Sequence, residues 1–354
     1  MRIKLAILNV LFSINMGFTA CEADTINKLP TVAIFLTGGT IAEKTDPKTG
    51  ASIPIGSSSD LIEHVPVLKE IANLKVVQFS NIDSSHMTPQ IWAKLSKQVD
   101  AMLQDPDIKG VVIAHGTDTM AEGAFFLELT LKTNKPVVFT GAVRDASDPY
   151  SDGPPNLRNA VVQVCSDNAQ CWGVTVTLNE YINAARNVIK TQTTNRQTFE
   201  SGEKGYLGYV YNKKVYRYNN RLKPRLVLPI PKDLPRVDII MDYAGTSGFL
   251  VKYAVDCGAK GIVVQSVGDG NVDEEMYDAI VYAMKKGAAV VISTRVFYGA
   301  VYPSYGDIGG GESLKQAGAI VVGDLPAPKA RLLLMLALPL VKEHHELNKY
   351  FEAI

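Results

Sequence analysis

At 354 residues, 46% of them hydrophobic, the chain can bury the core of one large domain or two ordinary ones, which excludes a disordered polypeptide. Its 36 basic and 36 acidic residues cancel to a formal charge of zero, and no long like-charged block occurs. Electrostatic capture by nucleic acid or an anionic membrane is thereby excluded, and a small-molecule partner is expected.

At the N-terminus, Arg2 and Lys4 precede an apolar stretch over residues 5–18, followed by small residues at Ala20 and Ala23. This is the pattern of an export signal, residues 1–23. Its apolar core is short for a membrane span and no other segment is long enough, so a periplasmic or secreted mature protein without a transmembrane helix is expected. Thr19-Ala20-Cys21 also resembles the end of a lipoprotein signal, which would place lipid on Cys21, although Phe18 stands where such signals usually carry Leu.

Apolar, strand-like runs then recur at 32–36, 110–114, 136–140, 173–178, 237–241, 261–265, 289–293 and 320–322, with helical stretches between them. Strands alternating with helices predict a parallel α/β architecture. Thr88 followed by Pro89 supplies an N-cap and first-turn proline, and Ile91, Leu95, Val99 and Met102 continue at helical spacing as a core-facing stripe. Cys165 and Cys171 flank a polar loop; an oxidising compartment leaves both a disulfide and two separate thiols open. Cys257 reads as a small core residue. A segment over residues 221–235, punctuated by Pro224, Pro229, Pro231 and Pro235, reads as an interdomain linker between a domain at 28–220 and a domain at 236–354.

Two of the apolar runs end in Thr37-Gly38-Gly39-Thr40 and His115-Gly116-Thr117-Asp118-Thr119. In open parallel sheets the ligand crevice lies beyond the carboxyl ends of the strands, so hydroxyls and a carboxylate delivered there can converge on one small substrate. A threonine hydroxyl is a weak nucleophile until a base takes its proton, and a lysine can be that base once burial and neighbours favour its neutral form. Lys190, in Val188-Ile189-Lys190-Thr191, is the candidate, and Thr, Lys and Asp form a variant of the nucleophile, base and orienter arrangement. Glycines beside the threonines let backbone amides approach a developing oxyanion. His115 reads as structural, and the five histidines have no ligand-like spacing, so no metal is expected. Neither glycine-rich turn carries the Lys-Ser/Thr ending of a phosphate loop.

The chain resembles the bacterial-type L-asparaginases, the exported type in particular, over nearly all of the expected mature length. The resemblance rests on Thr37-Gly38-Gly39-Thr40-Ile41-Ala42, Asn81-Ile82-Asp83-Ser84-Ser85, His115-Gly116-Thr117-Asp118-Thr119-Met120-Ala121-Glu122 and Lys135-Pro136-Val137-Val138 running into Thr140-Gly141-Ala142. It continues through Asp152-Gly153-Pro154, Asn156-Leu157, Asn159-Ala160-Val161, Lys190-Thr191, Val267-Gly268-Asp269-Gly270-Asn271 and Pro328-Lys329-Ala330-Arg331. It implies a two-domain asparaginase-like α/β fold with a larger N-terminal parallel-sheet domain and a smaller C-terminal α/β domain. It also implies a homotetramer built as a dimer of dimers, with sites at the dimer interface.

The implied reaction is hydrolysis of L-asparagine to L-aspartate and ammonia with no cofactor. Thr40 matches the family's nucleophile, and Thr117, Asp118 and Lys190 match its second catalytic group. Ser84 matches the residue that holds the substrate α-carboxylate, and Asp118 also matches the carboxylate that pairs with its α-amino group. Gly39, Ser85, Gly116, Ala142 and Asn271 complete the implied substrate-binding set. The sequence departs from the family at three places. Residues 42–60, the lid, contain no tyrosine; Ser85 replaces the usual Gln or Glu; and residues 296–306 carry Tyr298, Tyr302 and Tyr305 where a neighbouring subunit normally supplies a Glu. Two readings of Tyr302 and Tyr305 stay open: one of them supplies the phenol that the lid lacks, or both are interface aromatics filling a subunit contact. Two rival readings stand beside this one. Ser85 keeps open a broad-specificity glutaminase-asparaginase. A non-catalytic exported amino-acid binder is opposed by the intact Thr40, Thr117, Asp118 and Lys190.

Overall fold

The computed structural model describes residues 29–46, 48–49, 52–54, 63 and 65–354. The expected export signal with Cys21, and most of the lid segment, lie outside the described residues.

The strands in chain order are β1 (Thr31–Leu36), β2 (Glu43–Thr45), β3 (Ser52–Pro54), β4 (Asn73–Gln78), β5 (Ile108–Ala114), β6 (Val137–Thr140), β7 (Val174–Leu178), β8 (Tyr181–Ala184), β9 (Ile189–Lys190), β10 (Phe199–Glu200), β11 (Gly208–Tyr211), β12 (Lys214–Arg217), β13 (Val237–Met241), β14 (Gly261–Ser266), β15 (Ala289–Thr294) and β16 (Ile320–Val321). The α-helices are α1 (Pro89–Leu103), α2 (Met120–Thr130), α3 (Gly153–Cys165), α4 (Phe249–Asp256), α5 (Glu274–Lys285), α6 (Gly311–Gln316), α7 (Ala327–Ala337) and α8 (Asn348–Glu352).

The larger sheet runs β12-β11-β8-β7-β6-β5-β1-β4. Its strands from β4 to β7 are parallel, while β8, β11 and β12 extend one edge antiparallel. The parallel strands are near-continuous apolar runs because both faces are covered. Val32, Ile34, Val112 and Val138 face α3, whereas Ala33, Phe35, Val111, Ile113 and Phe139 belong to the core shared with α1 and α2. Helix α1 begins where Thr88 Oγ1 accepts a hydrogen bond from the Ile91 amide, and it buries Trp92, Leu95, Val99 and Leu103.

The smaller sheet, β13-β14-β15-β16, is parallel throughout. One face packs on α4 and α5, and the other packs on α7. Helix α7 has almost no polar face because its opposite side lies on α2, so the two sheets share one continuous apolar core. Residues 221–235 are not a free tether. Arg221 and Arg225 both pair with the buried Glu128, Arg225 also donates to the carbonyls of Glu128, Leu131 and Thr133, and the Leu228 amide donates to the Leu129 carbonyl.

The structure chooses between the two open readings of Cys165 and Cys171 and corrects the reading of Cys257. Cys165 and Cys171 are separate free thiols, with Cys171 exposed at a turn, and Cys257 is exposed at the end of α4 instead of buried in the core. Among the described residues no helix is long and apolar enough to cross a membrane.

Candidate active site

The turns after β1, β4 and β5 meet at the carboxyl edge of the larger sheet. Gly39, at φ +85°, lies against Gly116 so closely that a Cβ added to it would stand 2.3 Å from Gly116 Cα, and a Cβ on Gly116 would stand 2.6 Å from Ser84 Oγ. Only glycine fits both positions. Because the two glycines touch, Thr40 and Thr117, which follow them directly in the chain, start from adjacent points of the crevice. Ser84 closes the third side. Its Oγ accepts from the Asp118 amide at 3.2 Å, and its carbonyl accepts from Thr119 Oγ1 at 2.7 Å.

Lys190 enters on the short strand β9, paired with β10 through Phe199. Its Nζ donates to Thr117 Oγ1 at 3.0 Å and to Asp118 Oδ1 at 2.7 Å. Three of the sequence-predicted catalytic residues thus form one hydrogen-bonded group. The Lys190 side chain is 23% exposed and the Asp118 side chain 58%, so the ammonium is sheltered while the carboxylate faces the crevice. The Thr40 hydroxyl has no hydrogen-bond partner among the described residues. Of the four hydroxyls singled out in the two motifs, two are structural. Thr37 Oγ1 donates to the Ala114 carbonyl in the core, and Thr119 ties its turn to Ser84.

The next residue, Ser85, is exposed, and its amide donates to Asp83 Oδ1 at 2.7 Å. Hydrogen bonds from the Ser85 side chain and amide hold the Asp83 carboxyl below the usual carboxylate range. Ala142 is buried just past β6, beside Gly153. Asn271, Tyr302 and Tyr305 belong to a separate cluster at the edge of the smaller sheet. Asn271 Nδ2 donates to Asp269 Oδ1 and its Oδ1 accepts from the Gly311 amide, and the Tyr302 amide donates to the Asp269 carbonyl. Tyr302 and Tyr305 are exposed residues, at 67% and 55%. Among the described residues no hydrogen bond joins this cluster to Thr40, Thr117, Asp118 or Lys190.

His115 carries no exposed chemistry. Burial pushes its imidazole down to about 4, against a smaller opposing effect of the hydrogen bond to Gly116. Trp92 Nε1 donates to its Nε2 at 3.4 Å, which leaves Nδ1 as the donor to the Gly116 carbonyl at 2.7 Å. The neutral ring therefore fixes the glycine on which Gly39 rests.

Two sets of positioning groups stand in motifs that carry the resemblance, at Asp152, Asn156 and Lys329, but the sequence assigned them no role. Asp152 accepts hydrogen bonds from the amides of Val143 and Arg144 and from Asn156 Nδ2, and Asn156 also donates to the Gly141 carbonyl. These bonds fold the turn after β6 back over α3. The second set is Lys329 and the turn before Lys190, described below.

Matches to known proteins agree with this geometry. Residues 31–223 match the family described as asparaginase, N-terminal, and residues 236–351 match the glutaminase/asparaginase C-terminal domain. The chain is 38% identical to L-asparaginase 2 of Escherichia coli over 345 residues, 95% of each chain. It is 39% identical over 331 residues to the probable periplasmic L-asparaginase of Haemophilus influenzae, covering 92% of this chain and 93% of that one. The crystal structure of a probable cytoplasmic L-asparaginase from Campylobacter jejuni superposes with a TM-score of 0.84 at 38% identity, covering 92% of this chain and all of that one. Both halves are matched in order, and the matched N-terminal half holds the threonine turns and Lys190, so the chain belongs to the asparaginase family.

Proposed function

We propose that the chain hydrolyses the side-chain amide of L-asparagine, adding water to give L-aspartate and ammonia. The observation that carries this reading is the Lys190 Nζ held between Thr117 Oγ1 and Asp118 Oδ1, one glycine contact away from a Thr40 hydroxyl that has no hydrogen-bond partner among the described residues. Thr40 Oγ1 attacks the amide carbon, the C–N bond breaks as ammonia leaves with a proton, and water hydrolyses the resulting β-aspartyl ester to free Thr40. The line from Thr117 Oγ1 to Lys190 Nζ, 3.0 Å long, is the path along which the second group moves a proton. A zwitterionic substrate needs donors at one end and an acceptor at the other. Ser84 serves its α-carboxylate and Asp118 its α-ammonium, with Gly39, Ser85, Gly116 and Ala142 lining the pocket.

Asn271 and the phenol of Tyr302 or Tyr305 complete the site from a second copy, in a homotetramer assembled from dimers. The exposure of Tyr302 and Tyr305, and the lack among the described residues of any hydrogen bond from this cluster to the Lys190 group, support that placement. The catalytic domain is 28–220, joined through 221–235 to the domain at 236–354. The residues 1–23 direct export to the periplasm or beyond, a reading supported by the basic, apolar and small-residue order of that segment and by a relative named as periplasmic.

The test is ammonia release by the purified mature chain from L-asparagine and L-glutamine, beside Thr117→Val, which removes the hydroxyl at similar volume. Turnover of asparagine that the variant reduces by at least about a thousandfold supports the reading. Binding of asparagine without ammonia release overturns it, and comparable rates on both amides would assign the broader specificity to the chain.

A further inference from the structure

Lys329 is only 2% exposed, in the first turn of α7, where both desolvation and the positive end of the helix dipole disfavour a cation. Its three donors are all used. Nζ donates to the carbonyls of Ala185 at 2.8 Å, Arg186 at 2.9 Å and Val188 at 2.6 Å. These carbonyls belong to the turn that leaves β8, in which the amides of Asn187 and Val188 both donate to the Ala184 carbonyl. Lys190 lies two residues beyond Val188. The same ammonium stands 5.6 Å from the centre of the Phe125 ring on α2, the helix that begins immediately after Thr117, Asp118 and Thr119. Arg186 in the turn itself and Glu122 on α2 are the charged groups that act on it, the former opposing the cation and the latter favouring it.

We propose that Lys329 is a positioning residue for the proton-transfer pair: it pins the turn before Lys190 to the helix after Thr117 and so fixes the Lys190–Thr117 separation. A leucine at this position would suit the apolar faces of α7 and α2 but would take a donor from three inward-facing carbonyls, so what the lysine adds over leucine is its grip on that turn. One lysine from the C-terminal half thereby sets the geometry of a proton-transfer pair, Thr117 and Lys190, that lies in the N-terminal half. This proposal rests on the reading of Lys190 as part of the second catalytic group.

The experiment compares Lys329→Met, which keeps an unbranched side chain one atom shorter and removes the donors, with Lys190→Met and the unaltered chain. For Lys329→Met, kcat on asparagine is expected to fall about 10- to 100-fold with KM changed by less than about threefold, because the proton path is displaced while the substrate contacts remain. Amide exchange should speed up selectively at Asn187, Val188 and Thr191, with circular dichroism unchanged. Wild-type kcat in folded Lys329→Met overturns the proposal, as does a loss of protection spread over the whole chain or a change confined to KM. If Lys329→Met does not fold, Lys329→Gln is read by the same criteria, and failure of both to fold assigns the residue a purely structural role. Full turnover by Lys190→Met would overturn the catalytic reading of Lys190 and this proposal with it. An inactive Lys190→Met beside an unaffected Lys329→Met removes the positioning role alone.

Discussion

The neutral His115 beneath Gly116 makes the fold sensitive to acid in a defined window. Burial holds its imidazole down to about 4 in the folded chain, against 6.5 for the ordinary group. Between these values the unfolded chain binds a proton that the folded chain refuses, so stability rises with pH there. The contribution is complete above pH about 6.5 and is lost as the pH falls toward 4. The window of about 2.5 units, at about 1.4 kcal/mol each, amounts to roughly 3 kcal/mol at its acid end and about 2 kcal/mol at pH 5. Urea unfolding at pH about 7.5 and about 5, at one protein concentration, should show the unaltered chain losing about 2 kcal/mol more than His115→Gln, which cannot titrate. The difference between the two pH responses is the quantity read, because Glu122 and the other shifted groups contribute equally to both. Equal responses, or an imidazole whose ring nitrogens titrate near the ordinary value in the folded chain, would refute the reasoning.

Two further perturbations address the crevice itself. Gly39→Ala places a Cβ 2.3 Å from Gly116 Cα at a residue with φ +85°, so the turns after β1 and β5 must separate. We expect a loss of about 100-fold or more in kcat/KM, with thermal melting lowered by only a few degrees because both strands stay paired; near-normal turnover would contradict the glycine contact. Asp152→Asn retains the size of the side chain but offers one acceptor oxygen where two now serve Val143, Arg144 and Asn156. A stability loss of about 1–3 kcal/mol in urea unfolding is expected, and an unchanged midpoint would show that water replaces the bonds.

The fold was legible wherever burial is two-sided. Strands such as β5 and β14 are continuous apolar runs because helices cover both faces, and their predicted limits at 110–114 and 261–265 differ from the observed ones by two residues at most. Strand β4 escaped notice because, on the sheet edge, its residues alternate between half-exposed and exposed, and Asn73, Lys75 and Gln78 break the apolar pattern. Strands β8, β11 and β12 were hidden for a related reason. Their order is antiparallel and their outward positions carry Tyr209, Tyr211 and Tyr216, so neither length nor hydrophobicity separates them from loop. The stretch at 221–235 reads as a linker by its prolines, yet Arg221 and Arg225 bind it to Glu128, a pairing that sequence spacing cannot reveal.

The candidate site divides along a chemical line. Thr117, Asp118 and Lys190 stand out in a sequence because a threonine, a carboxylate and a lysine beside glycine turns suggest proton chemistry before any geometry is known, and the structure brings those three within hydrogen-bond reach. The groups that hold them in place do their work on backbone atoms. Asp152 grips the amides of Val143 and Arg144, His115 grips the Gly116 carbonyl, and Lys329 grips three carbonyls more than 140 residues away in the chain. Every residue type offers the same backbone carbonyl, so the receiving turns, Ala185-Arg186-Asn187-Val188 among them, carry no compositional trace of what binds them. The sequence offered a signal at Lys329 only as part of the motif Pro328-Lys329-Ala330-Arg331, in the first turn of a helix whose one other charged residue is Arg331. Desolvation and the helix dipole make that position costly, and the three carbonyls, the Phe125 ring and Glu122 around Nζ are what compensate for it.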